Sequence, residues 1–143
     1  MKHLRSYKDD FILLVEAGFI AVNQADEEAA TKLFNAAQLL DSNNQLPEIG
    51  VGYLHMHKLQ LKEACKAFEH VLDKEPNNEM AKAFLGICLG LQPTQIAKGE
   101  KILEQTNSHS KDPMVKKLCD TALHFVDKFV KKSAGPAESH KKK

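Results

Sequence analysis

Long apolar runs are missing from this sequence. The longest near its start, Phe11 to Val15, is stopped by Glu16, which is too short for a signal-peptide core or a membrane span, so a cytoplasmic protein with no membrane span is expected. Cysteine is scarce: Cys65, Cys88 and Cys119 are odd in number and widely spaced, unlike a disulfide scaffold or a metal-ligand pattern, and they suit a reducing compartment. An excess of one charge is also lacking, since the formal net charge is +1. That gives no electrostatic footprint for nucleic acid, which is not expected as a partner. There is no phosphate-cradling glycine-rich loop, and no local motif offers a nucleophile with a base and an orienting group. An enzyme is therefore not expected, and neither is a cofactor.

What is present is an ordinary globular composition, 43% hydrophobic and 27% charged over 143 residues, sized for a single domain. The stretch from Leu46 to Pro76 reads as two amphipathic helices, with Val51-Gly52 in the first and Ala64 and Phe68 in the second. The same chemistry stands 34 residues earlier as Ala17-Gly18, Ala30 and Phe34, and 34 residues later Leu85-Gly86 takes the small-residue place. Asn43-Asn44 and Asn77-Asn78 keep the same period, each just before a helix whose free N–H groups an asparagine oxygen can cap. Gly18, Gly52 and Gly86 allow the first helix of each pair close approach, Ala30 and Ala64 supply a shallow facing surface, and Phe34 and Phe68 fill the groove beside it. In the third pair Lys98 and Ile102 fall on the Ala and Phe places, so its second half reads as degenerate.

In chain order, Met1 to Asp10 reads as a polar lead-in and the first helix as about Asp9 to Asn23. Asp26, Glu27 and Glu28 open the second, with Ala30, Leu33, Phe34, Ala37 and Leu40 as its buried stripe. The third runs from Leu46 or Pro47 to about Lys58, the fourth from Leu61 to about Asp73, and the fifth from Glu79 to about Leu91. After Gln92-Pro93-Thr94 a weaker sixth helix carries Ile96, Ile102 and Leu103, with Gly99 as a soft point costing about 1 kcal/mol against alanine. Asn107 to Asp112 reads as a loop. Asp112 and Pro113 then open a last helix to about Lys132, with Leu118, Ala122, Phe125 and Phe129 on one face. Residues 1–132 are expected to form the domain and 133–143 a disordered basic tail.

The helix–turn–helix period with its Gly, Ala-x-x-x-Phe and Pro positions resembles the tetratricopeptide repeat family, although Leu14 and Ala21, Glu48 and His55, and Lys82 and Leu89 stand where that pattern has Trp and Tyr. The resemblance implies an all-α fold of about three helix pairs stacked as a short solenoid, closed by a C-terminal capping helix. In such a stack the first helices line a concave face. Its inner positions here are Ile12, Val15, Phe19 and Val22; Leu46, Ile49, Tyr53 and Met56; Met80, Ala83, Ile87 and Leu91. Nearly all are apolar, as in a groove for an amphipathic helix of another protein. Some could instead pack against a terminal segment of the same chain. Repeat proteins that clamp a peptide carboxylate carry Lys and Asn in this groove, where Val15, Phe19, Ile49 and Tyr53 stand here.

Other candidate chemistry gives way to plainer readings. His55 and His57, flanking Met56, point roughly 200° apart on a helix and cannot share a metal, so no metal site is expected. Cys65 and Cys88 lie at core positions of their helices.

The segment AKAFLGICLGLQPTQ, an irregular helix after it, and KDPMVKKL opening the terminal helix are similar to the second half of the needle-subunit chaperones among the tetratricopeptide chaperones of bacterial type III secretion. That resemblance implies a chaperone that binds a secreted, self-polymerising needle subunit, commonly with a small helical co-chaperone, and keeps it monomeric and export-competent without catalysis. The alternatives are a translocator chaperone of the same system, which usually has a longer N-terminal helical region, and a general scaffold or adaptor.

Overall fold

The computed structural model describes residues 2–132, and every regular element among them is helical. The basic tail expected at 133–143 lies outside the described residues. Seven α-helices follow one another: α1 (Lys2–Asn23), α2 (Glu27–Leu40), α3 (Leu46–His57), α4 (Leu61–Lys74), α5 (Glu79–Gly90), α6 (Ile96–His109) and α7 (Pro113–Phe125), the last continued by a π-helical turn, Val126–Val130. No strand occurs among the described residues, as the periodicity leads one to expect.

The helix starts follow from local side-chain chemistry. The Asp26, Asn78 and Asp112 side chains accept from the backbone N–H groups of Ala29, Ala81 and Met114, and Asn44 accepts from that of Leu46, so orphan donors in the first turns are satisfied. Pro47 and Pro113 sit in first turns, where a missing N–H is no loss. Two starts and stops differ from the expectation. Helix α1 begins at Lys2 rather than near Asp9, because nothing between them breaks a helix. Helix α6 continues to His109, leaving a link shortened to Ser110–Asp112.

The α1–α2 and α3–α4 turns share one device that no glycine advertises. Ala25 and Leu59 hold left-handed backbone conformations, with φ of 61° and 59°. Around each, two N–H groups reach back to the helix end: Ala25 to Val22 and Asp26 to Ala21, then Leu59 to Met56 and Gln60 to His55. This is the helix-terminating pattern that usually takes glycine. Leu59 is 76% exposed and buries little, so Leu59→Gly should stabilise the fold by up to about 1 kcal/mol after the added freedom of the unfolded chain is subtracted. The check is a rise in denaturation midpoint relative to wild type.

The described residues divide into two compact units, 2–71 and 72–132. In the first, α1, α2 and α3 pack on one another. Phe34 of α2 is buried with its ring pressed between two helices: a Cβ added at Gly18 of α1 or at Gly50 of α3 would lie 2.4 Å from its Cε1. Gly52 stands in the same relation to Phe68 of α4, at 2.5 Å. Phe11, Val15 and Ala37 form one buried cluster, and Ala21, Val22, Ala30, Phe34 and Leu54 another.

In the second unit α5, α6 and α7 pack together. Here the degenerate reading of the third pair is corrected. The residue against Gly86 is Leu103, 2.7 Å from an added Cβ, and the small residue is Gly99, so the chemistry of the second helix is kept one residue later than the 34-residue frame puts it. The extra residue falls between Gly86 and Gly99, in the stretch that includes the Gln92-Pro93-Thr94 link. Gly99 is therefore no soft point: a Cβ there would lie 2.4 Å from the Gly90 nitrogen and 2.7 Å from the Gly86 oxygen. Ser110 is buried and ties the α6–α7 link to α5 by donating its hydroxyl to Glu79 at 2.9 Å. The buried side of the last helix is Val115, Cys119 and Val126 rather than Phe125 and Phe129, which are both exposed.

Candidate interaction face on the first unit

The apolar positions expected to line a groove separate into enclosed and accessible groups. Val15, Val22, Ile49 and Ala83 are enclosed and cannot meet a partner directly. Val15 packs with Phe11 and Ala37, and Val22 with Ala30, Phe34 and Leu54, because the side of α1 that carries them is the side on which the cluster residues of α2 lie. Ala83 belongs to a cluster with Leu103, Val115 and Cys119, and Ile87, partly buried, packs against it together with Leu118, Ala122 and Leu123. For these two positions of α5 the terminal helix is the covering surface. Leu91 is partly buried and Met80 exposed in the same unit.

On the first unit the remaining positions form a face of α1 and α3. Phe19, Tyr53 and Met56 are half-buried, and Ile12 and Leu46 are exposed. The aromatic rings are held in place. Phe19 meets Phe34 edge-on with centroids 5.4 Å apart, Tyr53 lies 5.3 Å from Phe19, and His57 meets Tyr53 edge-on at 4.6 Å. The Tyr53 hydroxyl donates to Asn23 Oδ1 at 2.7 Å, fixing α3 against the end of α1. Aromatic pairs of this geometry contribute about 0.5–1.5 kcal/mol each beyond their buried area. The result is a pre-ordered surface, apolar in its body and polar at Asn23 and the Tyr53 hydroxyl. Beside Ile12 a cleft of about 450 Å³ opens, with Phe11 and Leu40 as its apolar walls and Lys8, Asp41 and Asn44 at its edge.

The arrangement suits contact with a side chain or a helix. His55 pairs through Nδ1 with Gln60 Oε1 at 2.8 Å and His57 meets the Tyr53 ring edge-on, so the two histidines are engaged separately. No group of three or more His, Cys, Asp or Glu side chains among the described residues could hold a metal ion. All three cysteines are buried. Burial pushes the Cys119 thiol above its ordinary pKa, and the carboxylates of Asp120 and Glu79 push it further, so at neutral pH it is a protonated core group and a poor nucleophile. In the second unit a separate cleft of about 430 Å³ has Leu72, Leu85 and Ile102 in its wall and Glu79, Lys82 and His109 among its polar groups.

Gly50, Gly99 and the left-handed Ala25 and Leu59 escape a reading based on the repeat alone. Gly50 had a visible signal, since it stands two residues before Gly52 in a helix, where two glycines so close imply contact on more than one side.

No helix among the described residues is long and apolar enough to cross a membrane. No protein-family model, curated protein or solved structure matches this chain.

Proposed function

We propose that this chain is a helical-repeat chaperone that holds an amphipathic helix of another protein against the α1–α3 face and so keeps a self-polymerising secreted subunit monomeric. The single observation that carries the reading is the accessible row Ile12, Phe19, Leu46, Tyr53 and Met56, braced where Phe19 meets Tyr53. Stacked tetratricopeptide-like pairs are supported by the recurrence of a small residue against a bulky one in α1–α2, α3–α4 and α5–α6, and by matching turns at Ala25 and Leu59. In this reading α7 is the capping helix. The resemblance of Ala81 to Val126 to needle-subunit chaperones supplies the substrate class, with a small helical co-chaperone as a possible second partner.

The mechanism is competition for one apolar surface. A subunit that polymerises by docking its helix on other copies loses that route while the helix is covered. Each half-exposed large apolar side chain removed from water contributes about 1 kcal/mol, and the ordered rings lower the entropy lost on binding.

Tyr53→Asp tests the reading. A carboxylate in the contact should weaken binding of the needle-subunit helix roughly a hundredfold, and Met56→Asp should act in the same direction. Titration calorimetry reads the affinity, and circular dichroism confirms that the variants remain helical. Folded variants that bind as tightly as wild type would move recognition away from α1 and α3.

A further inference from the structure

Two other apolar stripes are exposed, and their rims carry opposite charge. On α1, Leu13, Ala17 and Ile20 run along the side roughly opposite the buried Phe11, Val15 and Val22, with Leu13 62% and Ile20 56% exposed. This side is also turned roughly 100° from Ile12 and Phe19, so it lies outside the face assigned to the secreted subunit. Its rim is acidic, formed by Asp9, Asp10 and Glu16, all exposed. On the last helix Met114, Leu118, Thr121 and Phe125 follow one another at steps of four, three and four residues, with Met114 73% and Phe125 46% exposed. The π-helical turn continues this stripe, since the Phe129 ring lies against that of Phe125, tilted by 41° with centroids 5.0 Å apart. Its rim is basic, formed by Lys117 and Lys128, and Lys128 Nζ lies 5.6 Å from the Phe129 ring centre.

We propose that these stripes are partners between two copies of this chain, the α1 stripe of one copy docking on the α7 stripe of the other. Three observations select a second copy as the occupant. Steps of four and three residues are the spacing of a packed helix–helix seam, and both stripes show them. Each stripe is also long enough for such a seam, because its exposed anchors, Leu13 to Ile20 and Met114 to Phe125, are seven and eleven residues apart, about 10.5 and 16.5 Å along a helix. Finally, Asp9 and Glu16 stand on one flank of the α1 stripe as Lys117 and Lys128 stand on one flank of the α7 stripe, so an acidic edge meets a basic one, which favours this pairing over either stripe with itself.

The contact joins unlike surfaces, so each copy offers one of each kind. A single short seam buries less than the roughly 1,200–2,000 Å² of a stable interface. The expected species is accordingly a weak dimer, weakened further by salt, which screens the charged edges.

Leu13→Asp and Phe125→Asp separate the two faces, and both sites are exposed enough for the variants to fold. Sedimentation equilibrium should give wild type the mass of a dimer at high protein concentration, and each variant alone the mass of a monomer. An equimolar mixture should associate again, because the intact α1 of the Phe125→Asp chain can dock on the intact α7 of the Leu13→Asp chain. Should either variant lose its helical circular dichroism, Ile20→Asp and Met114→Asp replace the pair. Wild type that stays monomeric, variants that keep the wild-type mass, or a mixture that stays monomeric would each overturn the proposal, the first leaving these stripes to a different protein.

Discussion

Gly99→Val should leave the second unit largely unfolded, and Gly99→Ala should lower its stability where helix propensity alone demands a gain of about 1 kcal/mol. The cause is backbone against backbone. A Cβ at this position would lie 2.4 Å from the nitrogen and 2.8 Å from the Cα of Gly90, and 2.7 Å from the oxygen of Gly86. None of these atoms can swing aside as a side chain can, so α5 and α6 must separate. Separation loosens Leu103 from Gly86 and, beyond it, the cluster that Leu103 forms with Ala83, Val115 and Cys119. Overpacking of this kind costs about 1–3 kcal/mol and occasionally more, so alanine should lose about 2 kcal/mol net and valine more than about 3. A unit of this size has roughly 3–9 kcal/mol in total. Urea denaturation followed by circular dichroism reads both losses, and alanine at position 99 with a midpoint at or above wild type would refute the close approach.

Ala64→Glu should have a comparable effect in the first unit. Ala64 is wholly enclosed on α4, on a helix face shared with Phe68 and Val71, which are also wholly enclosed. Glutamate adds four heavy atoms, three of them a carboxylate without a partner, and burial of such a group costs several kcal/mol. Burial raises a carboxyl pKa by disfavouring its charged form. Part of the destabilisation is therefore present above the ordinary glutamate range and is relieved as pH falls through it, since the unfolded state is then neutral too. The expected result is loss of cooperative melting at neutral pH with partial recovery in mild acid. A variant that melts like wild type would mean that position 64 is not a packing site.

Much of the fold was legible because it repeats. Gly18, Gly52 and Gly86 do lie at helix contacts, and Asn44, Asn78, Asp26 and Asp112 do cap, since both functions depend on residue type at a fixed offset. The third pair was misread for a local reason: one added residue between α5 and α6 moves the small and bulky positions to Gly99 and Leu103, and a fixed 34-residue frame steps over it. The α1–α2 and α3–α4 turns hid because Ala25 and Leu59 hold a conformation that sequence assigns to glycine. Of the candidate face, Phe19, Tyr53 and Met56 were readable from helix spacing. The enclosure of Val15, Val22 and Ile49 was not, because an apolar residue at helical spacing looks the same whether a neighbouring helix of the chain or a partner covers it. Ala83 and Ile87 pack into the cluster formed with α7, and their spacing alone did not distinguish this covering from a free inner face.

The central claim, that the α1–α3 face covers an amphipathic helix and prevents its self-assembly, is tested most directly by following polymerisation of a purified type III needle subunit by light scattering as this protein is added. The account predicts that scattering is suppressed up to a fixed stoichiometry, that a soluble complex containing monomeric subunit is recovered, and that Tyr53→Asp, still helical, loses most of the suppression. A subunit that polymerises at the same rate with and without a molar excess of the folded protein would contradict it.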